Sequence, residues 1–121
     1  MKTPNEIHCP VAATLNLIGG KYKALILWTL LEGTKRFSDL QRAISQATPK
    51  MLTQQLRDLE RDGLIRRTVY PQVPPRVEYS LTQEGLSIRP ILMAMYRWGT
   101  HYLKERNIDA HCSMTPPEKL R

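Results

Sequence analysis

The chain has 121 residues, 41% of them hydrophobic and 24% charged, with 18 Lys plus Arg against 11 Asp plus Glu for a formal net charge of +7. That length supports one folded domain with a real core, of ordinary soluble globular composition, and the positive excess points to a polyanionic partner, nucleic acid or an acidic membrane surface. The longest apolar run, Ala24 to Trp28, is far too short to span a bilayer, "MKTPNEIHCP" lacks the apolar core of a signal peptide, and two distant cysteines make no disulfide framework, so a cytoplasmic protein is expected.

Residues 1–8 are expected as a flexible arm. Pro10 to Ile18, "PVAATLNLI", predicts a short helix broken by Gly19-Gly20. Lys21 to Glu32 predicts a second helix, apolar almost all round and therefore central and buried, stopped by Gly33. "FSDLQRAI" opens with an apparent capping box, Ser38 accepting from the Gln41 amide while Gln41 reaches back, and Leu40, Ala43 and Ile44 form its buried side. Ser45-Gln46-Ala47 is a short connection into "TPKMLTQQLRDLER", where Thr48 is the N-cap, Pro49 the first helical residue and Gly63 the left-handed residue past the end. Two helices joined by so short a turn form a helix-turn-helix unit.

After Gly63 the period changes from helical to alternating. Ile65, Arg67 and Val69 share one side of a first strand; Val77, Tyr79 and Leu81 share one side of a second, opposite Arg76, Glu78 and Ser80. "PQVPP" between them is too stiff and long for a two-residue turn, so the hairpin should project as a loop. Thr82 caps a long helix running to Asn107, with a kink or restart at Pro90, whose missing N–H removes the bond to Leu86. From Asn107 onward the tail is polar and expected to be poorly ordered. The order specifies a mainly α fold with a small β-hairpin wing: a single winged helix-turn-helix domain over 1–121, with N- and C-terminal helices left for dimerisation. Alternation of helix and parallel strand is absent, which argues against a Rossmann-like sheet.

On the helix from Pro49, Leu52, Leu56 and Leu59 share one face. The opposite face carries Lys50, Thr53, Gln54, Arg57 and Arg61, while Asp58, Glu60 and Asp62 lie on the flanks. A recognition helix in the major groove needs such an acid-free face. Gln can present donor and acceptor together to adenine, Arg can bond guanine, a Thr methyl can contact thymine, and a carboxylate would be repelled by the phosphates. Arg61, a turn later, suits phosphate. The bland alternative is a solvated helix face. Arg66, Arg67 and Arg76 bracket the wing tip and suit phosphates or a narrow minor groove, although any of them can instead pair with Glu78. Lys35, Arg36 and Ser38 are further phosphate candidates.

Ile88, Ile91, Met95, Trp98 and Tyr102 form a heptad-like stripe on the long helix, widened by Leu92 and Leu103. Part of it must cover the domain's own core. The remainder predicts a homodimer joined through this helix and the N-terminal one, reading an inverted repeat whose half-sites lie about 34–36 Å apart.

Cys9 precedes Pro10 at a helix start, where backbone N–H groups and the helix dipole favour a thiolate, to which Lys21 and Lys23 would add if the fold brought them near. Two readings stay open: a reactive sensor thiol, with Cys112 as a possible partner, or a small side chain packed under the helix. His8-Cys9 and His111-Cys112 could supply four zinc ligands but lack Cys-x-x-Cys spacing, so no metal or cofactor is assigned. There is no phosphate loop, nucleophile elbow or H-E-x-x-H, and His101 has no obvious acid beside it; an enzyme is not expected.

Taken together, "CPV", "IGGKYK", "LT-QLRDLERDGLI-R", "P-VEYSLT-EG" and the late "WG" resemble the HxlR-type winged-helix transcriptional regulators, relatives of the MarR group, over residues 9–105. The resemblance implies a dimeric bacterial DNA-binding regulator of a nearby operon, a repressor more than an activator, with the 49–62 helix as reader. It also implies that Cys9 is a sensor, because several such proteins respond to oxidants or electrophiles through the matching cysteine. Rival readings are a regulator switched by a small-molecule effector, a non-specific nucleic-acid binder and a protein-interaction module.

Overall fold

The computed structural model describes residues 8–109. The expected arm and tail therefore lie outside the described residues, save for His8 and residues 107–109. Helix α1 (Pro10–Ile18) starts on Pro10 with Cys9 as an extended N-cap and ends at Gly19, as the glycine pair predicts. Helix α2 (Lys23–Leu30) is shorter than expected at both ends, Lys21 lying in a turn and Tyr22 serving as its N-cap. It is the central helix: Ile26, Leu27, Trp28 and Leu30 are all buried.

Lys35–Arg36 form a short strand, β1, that carries the chain in extended form directly into α3 (Phe37–Ala43), with Arg36 as N-cap. The helix therefore starts one residue ahead of Ser38, and the third helical position falls on Asp39. Asp39 Oδ2 accepts from the Arg36 N–H at 3.0 Å. The Ser38–Gln41 capping box does not form; Gln41 Nε2 reaches forward to donate to the Ala47 carbonyl at 2.7 Å, bracing the turn.

The turn is longer than the expected three residues: Ile44 leaves the helix as its C-cap, so residues 44–48 connect α3 to the next helix, with Ile44 and Ala47 both buried. Helix α4 (Pro49–Arg61) begins as the sequence specifies: Thr48 Oγ1 accepts from the Met51 N–H at 3.1 Å. Its end is a Schellman motif. Gly63 sits at φ +80°, the Leu64 N–H donates to the Leu59 carbonyl at 3.0 Å, and the Gly63 N–H donates to the Glu60 carbonyl at 3.0 Å.

Strands β2 (Ile65–Tyr70) and β3 (Arg76–Leu81) pair antiparallel with Ile65 opposite Leu81, Arg67 opposite Tyr79 and Val69 opposite Val77, so the two predicted side-sharing sets lie on one face. The hairpin is not isolated. β1 pairs with the other edge of β3, Lys35 opposite Tyr79 and Arg36 opposite Glu78, making a three-stranded sheet in the order β1-β3-β2. A two-residue strand gives no periodic signal, so nothing local announces it.

Thr82 then caps a single turn, α5 (Gln83–Leu86), and the chain restarts as α6 (Arg89–Glu105) with Pro90 in its first turn. Pro90 thus ends one helix and begins another, as its missing N–H requires. Thr82 Oγ1 accepts from the Gly85 N–H at 3.1 Å and donates to the Gly63 carbonyl at 2.6 Å. These bonds clamp α5 onto the α4–β2 corner so closely that a Cβ on Gly85 would lie 2.1 Å from the Leu64 oxygen. α6 ends in a second Schellman motif, with Asn107 at φ 54° and the Ile108 N–H donating to the Leu103 carbonyl at 2.9 Å.

Leu40, Ile44, Leu52, Leu56, Leu59 and Leu64, with Ile26 and Leu27, are the fully buried centre. Each such side chain contributes about 1.5–3 kcal/mol by leaving water. The α6 stripe divides in two. Ile88 is buried in the domain's own core with Leu92 and Met93, and Tyr96 stacks on Trp28 at 5.1 Å between ring centroids. Ile88 is therefore removed from the expected dimer surface. Ile91, Met95, Trp98 and Tyr102 stay outside at 40%, 48%, 68% and 39% exposure.

Candidate nucleic-acid interface

The recognition face is set by the burial of Leu52, Leu56 and Leu59, which fixes the rotation of α4. Lys50, Gln54 and Arg57 are exposed on the outward side, with Thr53 half-buried at its edge. Thr53, Arg57 and Glu60 face the sheet residues Arg67 and Tyr79 across a groove of about 320 Å³, floored by Leu56. Arg57 from the helix and Arg67 from the wing thus approach one space. Two guanidiniums against one carboxylate leave that groove net positive, as a phosphate-lined ligand requires.

The other predicted cations are placed less simply. Arg66 is exposed on the opposite face of β2 from Arg67, beside Ser80. Arg76 Nε lies 3.5 Å from Glu78 Oε2, and its guanidinium sits over the Tyr70 ring at 4.3 Å. Lys35 Nζ is 3.9 Å from Glu32 Oε1. Pairs this exposed are worth about 0–1 kcal/mol, so a phosphate can compete for either cation. Arg36 and Ser38 are exposed where β1 turns into α3.

Arg61 and Gln54 hold a surprise. Asp58 is no solvated flank: it is 9% exposed. Its Oδ1 accepts from Gln54 Nε2 at 3.1 Å and from Arg61 Nη1 at 3.1 Å. Its Oδ2 lies 3.9 Å from Lys23 Nζ on α2, and Lys23 is itself buried. Arg61 Nε is also 3.5 Å from Asp62 Oδ1. The outward face keeps its acid-free tips, but a buried carboxylate holds two of its side chains from beneath. Sequence reasoning missed Asp58 in this role, along with Lys23, Tyr79 and Gln55, whose Oε1 accepts from the Tyr22 N–H at 3.2 Å. The Gln54–Asp58 and Asp58–Arg61 spacings were a readable signal, since residues three and four apart meet on a helix. The Lys23 contact had none.

Cys9 is free and exposed, so the packed-thiol reading does not hold in this structure. Neither lysine is turned to it: Lys23 is committed to Asp58, and Lys21 Nζ lies over the Tyr22 ring at 5.4 Å. Cys112 and His111 lie outside the described residues. Among the described residues no group of three or more His, Cys, Asp or Glu is placed to hold a metal, and no helix is long and apolar enough to cross a membrane. His101 does have an acid beside it, with Nε2 3.3 Å from Glu105 Oε1 one turn on, but both are exposed.

The outward stripe of α6 carries an aromatic pair, Trp98 stacked on Tyr102 at 5.2 Å, with the Arg106 guanidinium over Tyr102 at 3.8 Å. Val11 and Leu15 of α1 are exposed at 68% and 60%.

The model of the HxlR-like helix-turn-helix family matches residues 17–107. The chain is 51% identical over 94 residues to the HTH-type transcriptional regulator YdeP of Bacillus subtilis (strain 168), itself uncharacterised, covering 78% of this chain and 73% of that one. It is 45% identical over 115 residues to YkvN of the same strain, another uncharacterised HTH-type transcriptional regulator, covering 95% of this chain and 98% of that one. Among solved structures, the redox regulator HypR in its oxidised form superposes with a TM-score of 0.74 at 47% identity, covering 84% of this chain and 100% of that one.

Proposed function

Because this chain belongs to the HxlR-like helix-turn-helix family of transcriptional regulators, we propose that it is a cytoplasmic, sequence-specific double-stranded DNA-binding regulator, without enzymatic activity, that represses transcription as a homodimer on an inverted-repeat operator. The observation that carries this reading is the groove between α4 and the wing, where Thr53, Arg57 and Arg67 converge beside exposed Lys50 and Gln54. Helix α4 lies in the major groove, with Lys50, Thr53, Gln54 and Arg57 on base edges. Arg67, Arg66 and Arg61 meet phosphates, with Arg76, Lys35, Arg36 and Ser38 as outer contacts. The exposed apolar stripe of Ile91, Met95, Trp98 and Tyr102, with Val11 and Leu15, supports the dimer, since apolar and aromatic surface of this kind marks association sites.

Control by oxidants or electrophiles is the favoured switch. It is supported by the exposure of Cys9 at the α1 N-terminus and by the likeness to HypR. The test is selection from a random duplex library at near-physiological salt. An enriched inverted repeat supports the reading. Binding without sequence preference that disappears as salt rises would replace it with a non-specific binder.

A further inference from the structure

Of the two acids within α4, Asp58 and Glu60, only Asp58 is buried, and its bonding is one-sided. A single carboxylate oxygen, Oδ1, accepts from both Gln54 Nε2 and Arg61 Nη1, each at 3.1 Å. The other oxygen faces Lys23 Nζ at 3.9 Å across the α2–α4 packing. A carboxylate 12% exposed at its side chain is costly to keep charged unless such partners surround it. Bonded on one side to the core helix and on the other to two outward side chains, it links the scaffold to the reading surface.

Consider what this does to Gln54. A free Gln side chain rotates its amide, and ordering it on binding costs rotamer entropy. Here one N–H is already committed to Asp58, which settles which end of the amide is oxygen and which is nitrogen. The oxygen and the second N–H remain, the donor and acceptor pair that adenine requires. Arg61, two turns beyond Gln54, is held on the same oxygen through Nη1, while its Nε also faces Asp62 Oδ1 at 3.5 Å.

We propose that Asp58 is a positioning residue for DNA reading: it presets the Gln54 amide and the Arg61 guanidinium before the DNA arrives, and Lys23 holds Asp58 in place. This rests on the reading of α4 as the recognition helix. Asp58 touches no base. It acts through Gln54 on sequence preference and through Arg61 on backbone affinity.

The test must separate positioning from stability, because removing Asp58 alone strands a buried lysine. Replacing both ends with apolar residues, Lys23→Met with Asp58→Leu, removes the charges while filling the space, a change that buried ion pairs commonly tolerate. Wild type, the double variant, Gln54→Ala and the triple variant are passed through the duplex selection, with the ratio of best-site to random-site binding as readout. Expected is an approximately tenfold lower ratio in the double variant, comparable to that of Gln54→Ala, with little further loss in the triple variant. A double variant that reads sites as wild type does, or a full Gln54→Ala penalty in both backgrounds, overturns the proposal and leaves the recognition helix intact. A wild-type protein with no preference overturns both.

Should the double variant not fold, the wild-type protein supplies a second measurement. The side-chain NH2 of Gln54 should be as rigid as the α4 backbone in 15N relaxation, unlike that of exposed Gln83. Equal mobility of the two amides overturns the proposal.

Discussion

Lys23 of α2 and Asp58 of α4 face each other across the heart of the domain, Nζ to Oδ2 at 3.9 Å, with side chains only 5% and 12% exposed. The two ends are not equivalent. Asp58 has Gln54 and Arg61 as further partners, whereas Lys23 has no other ion pair among the described residues. Asp58→Ala should therefore destabilise by about 3 kcal/mol, and Lys23→Ala by clearly less. Urea unfolding midpoints at constant m give the order, and the reverse ranking would contradict the asymmetry.

A second prediction contrasts two glycines. Gly85→Ala places a methyl 2.1 Å from the Leu64 carbonyl oxygen and 3.2 Å from Leu81 Cδ2, and should cost about 1–3 kcal/mol. Gly99, inside α6, has nothing within 4 Å of a built Cβ, so Gly99→Ala should gain about 0.5–1 kcal/mol. Thermal melts of the two variants should move in opposite directions.

On DNA, Gln54→Ala and Arg57→Ala should each weaken binding to the selected site by about 1–3 kcal/mol and relax preference at one base position. Arg67→Ala should lower affinity for all sequences and reduce the salt slope by about 1. Arg76→Ala should do less than Arg67→Ala, because Glu78 and the Tyr70 ring already occupy its guanidinium. Titrations of specific and random duplexes at several salt concentrations distinguish these outcomes.

Trp98 and Trp28 separate assembly from folding. Trp98 is 68% exposed, so Trp98→Ala should leave the unfolding midpoint of the dissociated chain nearly unchanged while weakening the dimer by about 2 kcal/mol or more. Trp28, 3% exposed and stacked on Tyr96, should cost about 3–5 kcal/mol of folding stability when cut to Ala. Sedimentation equilibrium reads the first effect and urea unfolding the second.

Oxidation gives the last prediction. Diamide takes two thiols to a disulfide and is itself reduced to the hydrazine, so Cys9 needs a second thiol, either Cys112 or Cys9 of another copy. Treated wild type should release its selected duplex, and Cys9→Ser should hold it. Equal sensitivity in the two proteins would place the switch elsewhere.

The helix starts and stops were legible because each is decided within one turn of chain. Thr48 and Thr82 act through hydroxyls that accept from N–H groups three residues on, Pro49 and Pro90 through their rings and missing N–H, and Gly63 through its positive φ, all within one turn of chain. The faces of the hairpin strands followed from alternation, since a shift by one residue would turn Ile65 and Leu81 to water, but which residues pair across the strands is a finding of the structure. The Ser38 cap failed for a reason that lies outside its own turn: β1 pairs with β3 and delivers Arg36, rather than Ser38, to the helix start.

By itself, then, the sequence determined the order of the helices and the hairpin, though not β1, together with the buried face of α4 and the outward set of Lys50, Thr53, Gln54 and Arg57, because periodicity and capping are properties of neighbours. Tertiary structure alone decided three things: that Ile88 goes inside while Ile91 and Trp98 stay out, that Arg57 and Arg67 share a groove, and that Asp58 is buried against Lys23. Each depends on which side chains two distant segments bring face to face. Burial is a property of that packing, and no single stretch of chain contains it.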